Sequence, residues 1–191
     1  MDGRSIDHGG HMPSHRTLKF KVIVWSNWSV TEGSAVGTLD ASTTFEQIGH
    51  EGVGDDAVHP QAGHIDLGRL LDAPDDFTHH VKIDVHLESH MTDERGQPVH
   101  ARWARVGEGP NPAISAQGFC WFVANCGDAA PVKVPHVSAN RVSDRLVRID
   151  DHREVGHPMY IYNLGLVVEL PGGPHFITID PIVTGKGIGV G

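Results

Sequence analysis

Residues 158–170, PMYIYNLGLVVEL, followed by PGGP (171–174) and HFITIDPIV (175–183), decide the fold class. On the first limb Tyr160, Tyr162, Leu164, Leu166, Val168 and Leu170 fall on alternate positions and form one apolar stripe. A period of two, β-branched and aromatic content and a Pro-Gly turn are the signals of an antiparallel hairpin. Closing the turn across all of PGGP pairs Leu170 with His175, Val168 with Ile177 and Leu166 with Ile179. The chain therefore reads as β architecture before anything else about it is legible.

The same alternation recurs upstream. In LKFKVIVW (18–25), Phe20, Val22 and Val24 share one face while Lys19 and Lys21 lie on the other. In VKIDVHLES (81–89), Val81, Ile83, Val85 and Leu87 point inward, and Lys82, Asp84, His86 and Glu88 outward. The turn TDERG leads to VHARWARV, and pairing His90 with His100 sets Glu88 opposite Arg102 and Leu87 opposite Trp103. GFCWFV (118–123) is apolar on both faces, as a covered strand should be, and PVKVPHV and DRLVRID supply two further strands. A weaker strand is expected over 35–45, an irregular Gly-, Asp- and His-rich segment over 49–66 and a short helix over 66–71, ended by Pro74. About nine short strands with little helix predict an all-β, antiparallel two-layer β-sandwich, jelly-roll or Ig-like, with a β-barrel as the alternative. Residues 1–17 read as a flexible tail, in which GGHM resembles a cloning remnant, and residues 18–191 as one domain.

Composition narrows the function. Hydrophobic residues make up 39% and charged residues 20% of 191, enough apolar material for one core. A formal charge of −9 and the lack of Lys/Arg runs argue against nucleic acid or an anionic membrane as partner. The opening MDGRSIDHGGHMPSHR has no apolar central segment, so the expectation is no cleavable signal and a cytoplasmic protein. Cys120 and Cys126, six apart, are ~20 Å apart on an extended strand, beyond disulfide reach, and read as free thiols. The 15 histidines, scattered through the chain, predict a charge and an association state that respond to mild acid.

Four groups of residues are candidates for chemistry. His86, Glu88 and His90 share one strand face, and His100 faces them from the expected neighbour, so imidazole and carboxylate can hold a divalent metal as cofactor. The opposing fact is a spacing of ~7 Å between same-face residues, which makes three ligands on one strand hard to converge. The loop 50–64 adds Glu51, Asp55, Asp56 and His59, without the ordered spacing of a calcium loop. Trp25 and Trp28, in WSNWS, are candidate ligand-binding residues that can stack on a carbohydrate or small molecule. The terminal TGKGIGVG superficially evokes a phosphate loop but lacks the spacing of one, and no G-x-S-x-G elbow occurs, so no catalytic residue is assigned.

PGGPH (171–175) resembles part of the second cupin motif, although the H-x-H pair of the first motif and a following Asn are missing. That resemblance implies a His-rich metal-binding protein or metalloenzyme. The closing segment, with Tyr160, Tyr162, Gly172, Phe176, Asp180, Pro181 and, one place early, Ile182, resembles the end of the PixA/AidA inclusion-body protein family. ARWAR (101–105) echoes its Arg-Trp-Arg strand, while the Trp before the Asp-Pro is absent. That resemblance implies a bacterial cytoplasmic β-sandwich prone to self-association. Together these readings predict a non-enzymatic β-sandwich that forms a homo-oligomer or binds a protein partner or small ligand. A metal-binding protein and a carbohydrate-binding module are the alternatives.

Overall fold

The computed structural model describes residues 15–29, 37–51, 53–66, 79–125, 128, 130–153, 160–180 and 182–184. Residues 1–14, most of the helix expected over 66–71, Cys126 and the segment 185–191 lie outside the described residues. The chain runs β1 (His15–Ser29), β2 (Thr38–Glu51), β3 (Ile65–Asp66), β4 (His79–His90), β5 (His100–Trp103), α1 (Pro112–Ser115), β6 (Cys120–Val123), β7 (Val137–Ser143), β8 (Leu146–Arg153), β9 (Tyr160–Leu170), β10 (Gly173–Ile179) and β11 (Ile182–Thr184). Strand β1 starts at His15, inside the stretch expected to be tail, and β2 extends to Glu51, past the weak strand expected over 35–45.

Among the described residues the strands form a two-sheet, all-β fold with no closed barrel. The first sheet has the order β2-β1-β4-β8-β7; the second runs β10-β9-β11-β3, with β5 and β6 also paired to β9. Phe20, Val22 and Val24 of β1, Val81, Ile83 and Val85 of β4, and Val147 and Ile149 of β8 are fully buried. Trp103 of β5 and Tyr162, Leu164, Leu166 and Val168 of β9 join them in the same core. The alternation read in these strands is thus the alternation of core and outer face. Among the described residues no helix is long and apolar enough to cross a membrane.

PVKVPHV (131–137), expected as a strand, is irregular up to Val137, where β7 begins, and strand pairing departs from the sequence expectation in three further features. The β9–β10 turn uses only Pro171 and Gly172, so Leu170 pairs with Gly173, Val168 with His175, Leu166 with Ile177 and Leu164 with Ile179. The shift of two residues keeps every side chain on its expected face. It also draws Pro174 into β10, which ends the sheet order, where a missing N–H is tolerated. Gly173 takes φ 118°, a conformation that a side chain disfavours.

Second, β1 and β4 pair in parallel, Phe20 beside Val85 and Val22 beside Leu87. The chain visits β3 in the other sheet between β2 and β4, so β4 can return in the direction of β1. Third, β4 and β5 do not form a hairpin. Past the bridge Thr92–Pro98 they separate, β4 to β1 and β8, β5 to β9.

Strand β9 is buried on both faces. Ile161 packs outside the second sheet with Ile114, Trp121, Val123 and Phe176. Along one edge β9 pairs first with β6, over Ile161–Leu164, and then with β5, over Leu166–Glu169. Gly165 is the junction: its N–H donates to Phe119 O at 2.9 Å and its carbonyl accepts from Ala104 N at 2.8 Å. A Cβ at Gly165 would stand 2.1 Å from Gly118 O, and one at Gly118, where φ is 69°, would meet Arg105 O at 2.0 Å. Gly165→Ala is therefore expected to cost about 2–4 kcal/mol in urea unfolding. Gly172→Ala, with open space around it, should cost less than about 0.5 kcal/mol. Equal effects of the two substitutions would refute this assignment.

Candidate functional site

The outer face of the first sheet carries most of the residues expected to hold metal. The Glu88 carboxylate accepts from Lys21 Nζ at 2.9 Å and lies 3.0 Å from His90 Nε2, while Lys21 also reaches Glu46 at 3.1 Å. Hydrogen bonds from Lys21 and His90 hold Glu88 below the usual carboxylate range. The His90 ring stacks on Trp25, centroids 5.8 Å apart. His86 sits in register between Lys21 and Leu146. His100 is on β5 in the other sheet, 3.9 Å from Asp144. The four expected ligands therefore do not come together, because the β4–β5 pairing on which their convergence depended is replaced by β4–β1 and β5–β9. Among the described residues no three His, Cys, Asp or Glu side chains gather as a metal would require. In the 50–64 loop His50 faces Asp55 at 2.5 Å, and His59 Nδ1 accepts from Ala62 N at 3.3 Å.

Charge concentrates elsewhere, beside β5. Arg102, its side chain 7% exposed, makes a bidentate pair with Glu108 at 2.7 and 2.8 Å and reaches Glu169 at 3.0 Å. Glu108 also accepts from Arg105 N at 2.7 Å. Arg141 bonds Asp144 and donates through Nε to Trp103 O at 3.1 Å, and Asp144 O accepts from Trp103 N at 2.9 Å. The β7–β8 turn is thereby bolted to β5, one sheet to the other. The fork geometry of Arg102 satisfies a charge that burial would otherwise make costly. Cys120 is buried, and burial pushes its thiol well above the usual range, away from reactivity.

At one end of the sandwich lies a cleft of about 620 Å³, lined by Trp28, Leu39, Arg95, Leu170, Pro174 and His175, among others. Three connections converge on it: the end of the β1–β2 pair, the 93–97 turn and the β9–β10 turn. Another hollow, of about 670 Å³ over the 55–66 loop, combines Asp55, Asp56, Asp66, His59 and His64 with apolar wall from Phe45, Ala57, Val58 and Pro60. Its Phe45 is committed to the core, the ring tilted against that of Phe20 with centroids 6.3 Å apart. The end cleft offers a ligand the indole surface of Trp28.

Trp28 and Trp25 lie three residues apart on one strand and so face opposite sides. Trp28 closes the inner row of Phe20, Val22 and Val24 and packs against the core; Trp25 belongs to the outer face. The expected pair is therefore split, and only Trp28 lines the cleft.

Local chemistry fixes the cleft walls. Trp28 Nε1 donates to Thr92 O at 3.1 Å, and Ser26 Oγ donates to the same carbonyl at 2.8 Å while accepting from Thr92 N. Beyond Thr92, Asp93 Oδ1 accepts from Arg95 N at 2.9 Å and Gln97 N at 2.8 Å, and Gly96 adopts φ 76°. This Asp-anchored turn holds Glu94 and Arg95 at the rim. Trp28 is a candidate on sequence alone; Arg95 and His175 are not. The TDERG turn is visible in the sequence, yet its proximity to PGGP depends on long-range packing.

No known protein family and no curated protein matches this chain.

The Arg102 network has a measurable pH signature. Hydrogen bonds from Arg102, opposed by burial, bring the Glu108 carboxyl down to about 2. A folded-state value below the unfolded one stabilises the fold above the ordinary carboxylate range, and that stability is lost as pH falls from about 5 towards 2. Glu108→Gln is expected to cost about 1–2 kcal/mol at pH 7, allowing for solvent screening, and to flatten the loss between pH 5 and 3. Urea unfolding across that range measures both effects. A variant whose stability falls as steeply as that of the parent protein would contradict the assignment.

Proposed function

We propose that this protein is a non-enzymatic binding protein that seats a small ligand in the end cleft. The observation that carries the reading is the half-buried Trp28 ring against a hollow of about 620 Å³ walled by two tight turns. Binding sites for small molecules are usually hollows of this size, mostly apolar, with a few polar groups placed to orient the ligand. Here Leu39, Leu170, Pro171 and Pro174 supply the apolar wall and Arg95, Glu94 and His175 the polar rim. Turns tied by their own hydrogen bonds are preorganised, which lowers the ordering cost of binding. Fragment screening by protein-observed NMR tests this. Hits should shift the Trp28 indole together with amides of residues 37–39, 93–97 and 170–175, and hits scattered over other surfaces would contradict it.

A second reading, self-association, draws on the two end strands of the first sheet. Strand β2 carries Ile48, 43% exposed, and β7 carries Val142, 53% exposed. Strand edges with exposed apolar side chains are a route to sheet extension between copies. The PixA/AidA resemblance points the same way. Light scattering across a concentration series should then show an oligomer that Val142→Lys or Ile48→Lys dissociates; a monomer at all concentrations excludes it.

A further inference from the structure

We infer that the cleft ligand is a saccharide, an inference that rests on the cleft being the binding site. The cleft divides its apolar and polar groups between wall and rim. The Trp28 indole has its one donor committed to Thr92 O, so what it offers a ligand is ring surface. Leu170 and Pro171 from the β9–β10 turn extend that apolar surface across the hollow. A pyranose presents a matching patch of C–H groups on one face, and such patches pack against aromatic rings.

The rim is polar and mixed in sign. Arg95 brings donors only, Glu94 acceptors only, and His175 and Thr38 can do either. Among the described residues the Arg95 guanidinium and the Glu94 carboxylate have no ion-pair partner, because the turn is held by the Asp93 carboxylate and backbone instead. A phosphate-rich ligand would face the Glu94 charge, and a cationic one the Arg95 charge. Hydroxyl groups both donate and accept, so a ring of them satisfies both side chains at once. An apolar face opposite a donor-and-acceptor rim is the complement of a sugar, whereas a lipid tail would leave the rim groups without partners.

The test is a glycan array followed by calorimetry with the best soluble oligosaccharide on it. Parallel titrations use the dye 1-anilinonaphthalene-8-sulfonate as a non-sugar probe. Trp28→Ala should weaken saccharide binding tenfold or more and Arg95→Ala several-fold, while Trp25→Ala, outside the cleft, leaves it unchanged. Arg95 is exposed on a turn, so Arg95→Ala keeps the test alive should Trp28→Ala fail to fold. Dye binding that depends on Trp28, with a blank array, overturns the saccharide and leaves the cleft as a site for another ligand. A blank array with no dye binding overturns both readings. Saccharide binding that both cleft variants leave intact overturns the inference, because the sugar then binds elsewhere.

Discussion

Strand β9 is the member on which the second sheet depends. It alone pairs with β5, β6, β10 and β11, and it is covered on both faces. Changing partners along one edge without breaking the hydrogen-bond ladder requires a residue that lets two foreign backbones approach. Gly165 is that residue, held between Ala104 and Phe119. Because β9 ends in the turn that walls the cleft, the geometry of this strand also positions Leu170, Pro171 and His175. The site therefore inherits its shape from the core.

The fastening of the sheets uses polar groups with defined partners. Arg148 spans Asp84 on the outer face at 2.6 and 2.9 Å, a cross-strand pair in register. With the Asn163 amide oriented to satisfy its neighbours, it accepts from Trp121 Nε1 at 3.1 Å and donates to Asp180 at 2.9 Å. The end of β10 is thus tied to the outer cluster. Histidines take local parts of the same kind: His80 and His152 stack at 3.8 Å, and His90 stacks on Trp25. These imidazoles are spread over separate contacts, each answerable to its own neighbours.

What is legible in the sequence is what depends on neighbours along the chain. Alternation places Phe20, Ile83 and Leu166 in the core, and the doubly apolar CWFV segment is buried at every side chain. Parity also separates Trp25 from Trp28, a distinction that their shared WSNWS motif obscures. Sheet membership is not legible. TDERG forms a turn as its residues demand, yet the strands part beyond it. The outward residues of β4 are charged or polar, whereas β9 is covered on both faces and suits β5, in which Ala101, Arg102 and Trp103 are all buried. Convergence of His86, Glu88, His90 and His100 depended on the lost pairing, and the cleft stays hidden because its three walls are distant in sequence.

Amide hydrogen exchange is the most direct measurement of whether β9 is the structural spine. Amides that open only with the whole fold exchange slowest, whereas edge strands open locally. If the second sheet hangs on β9, the amides of residues 161–168 will share the slowest rates in the molecule, and those of β7 will exchange faster. Amides of β9 that exchange as fast as those of β7 would contradict it.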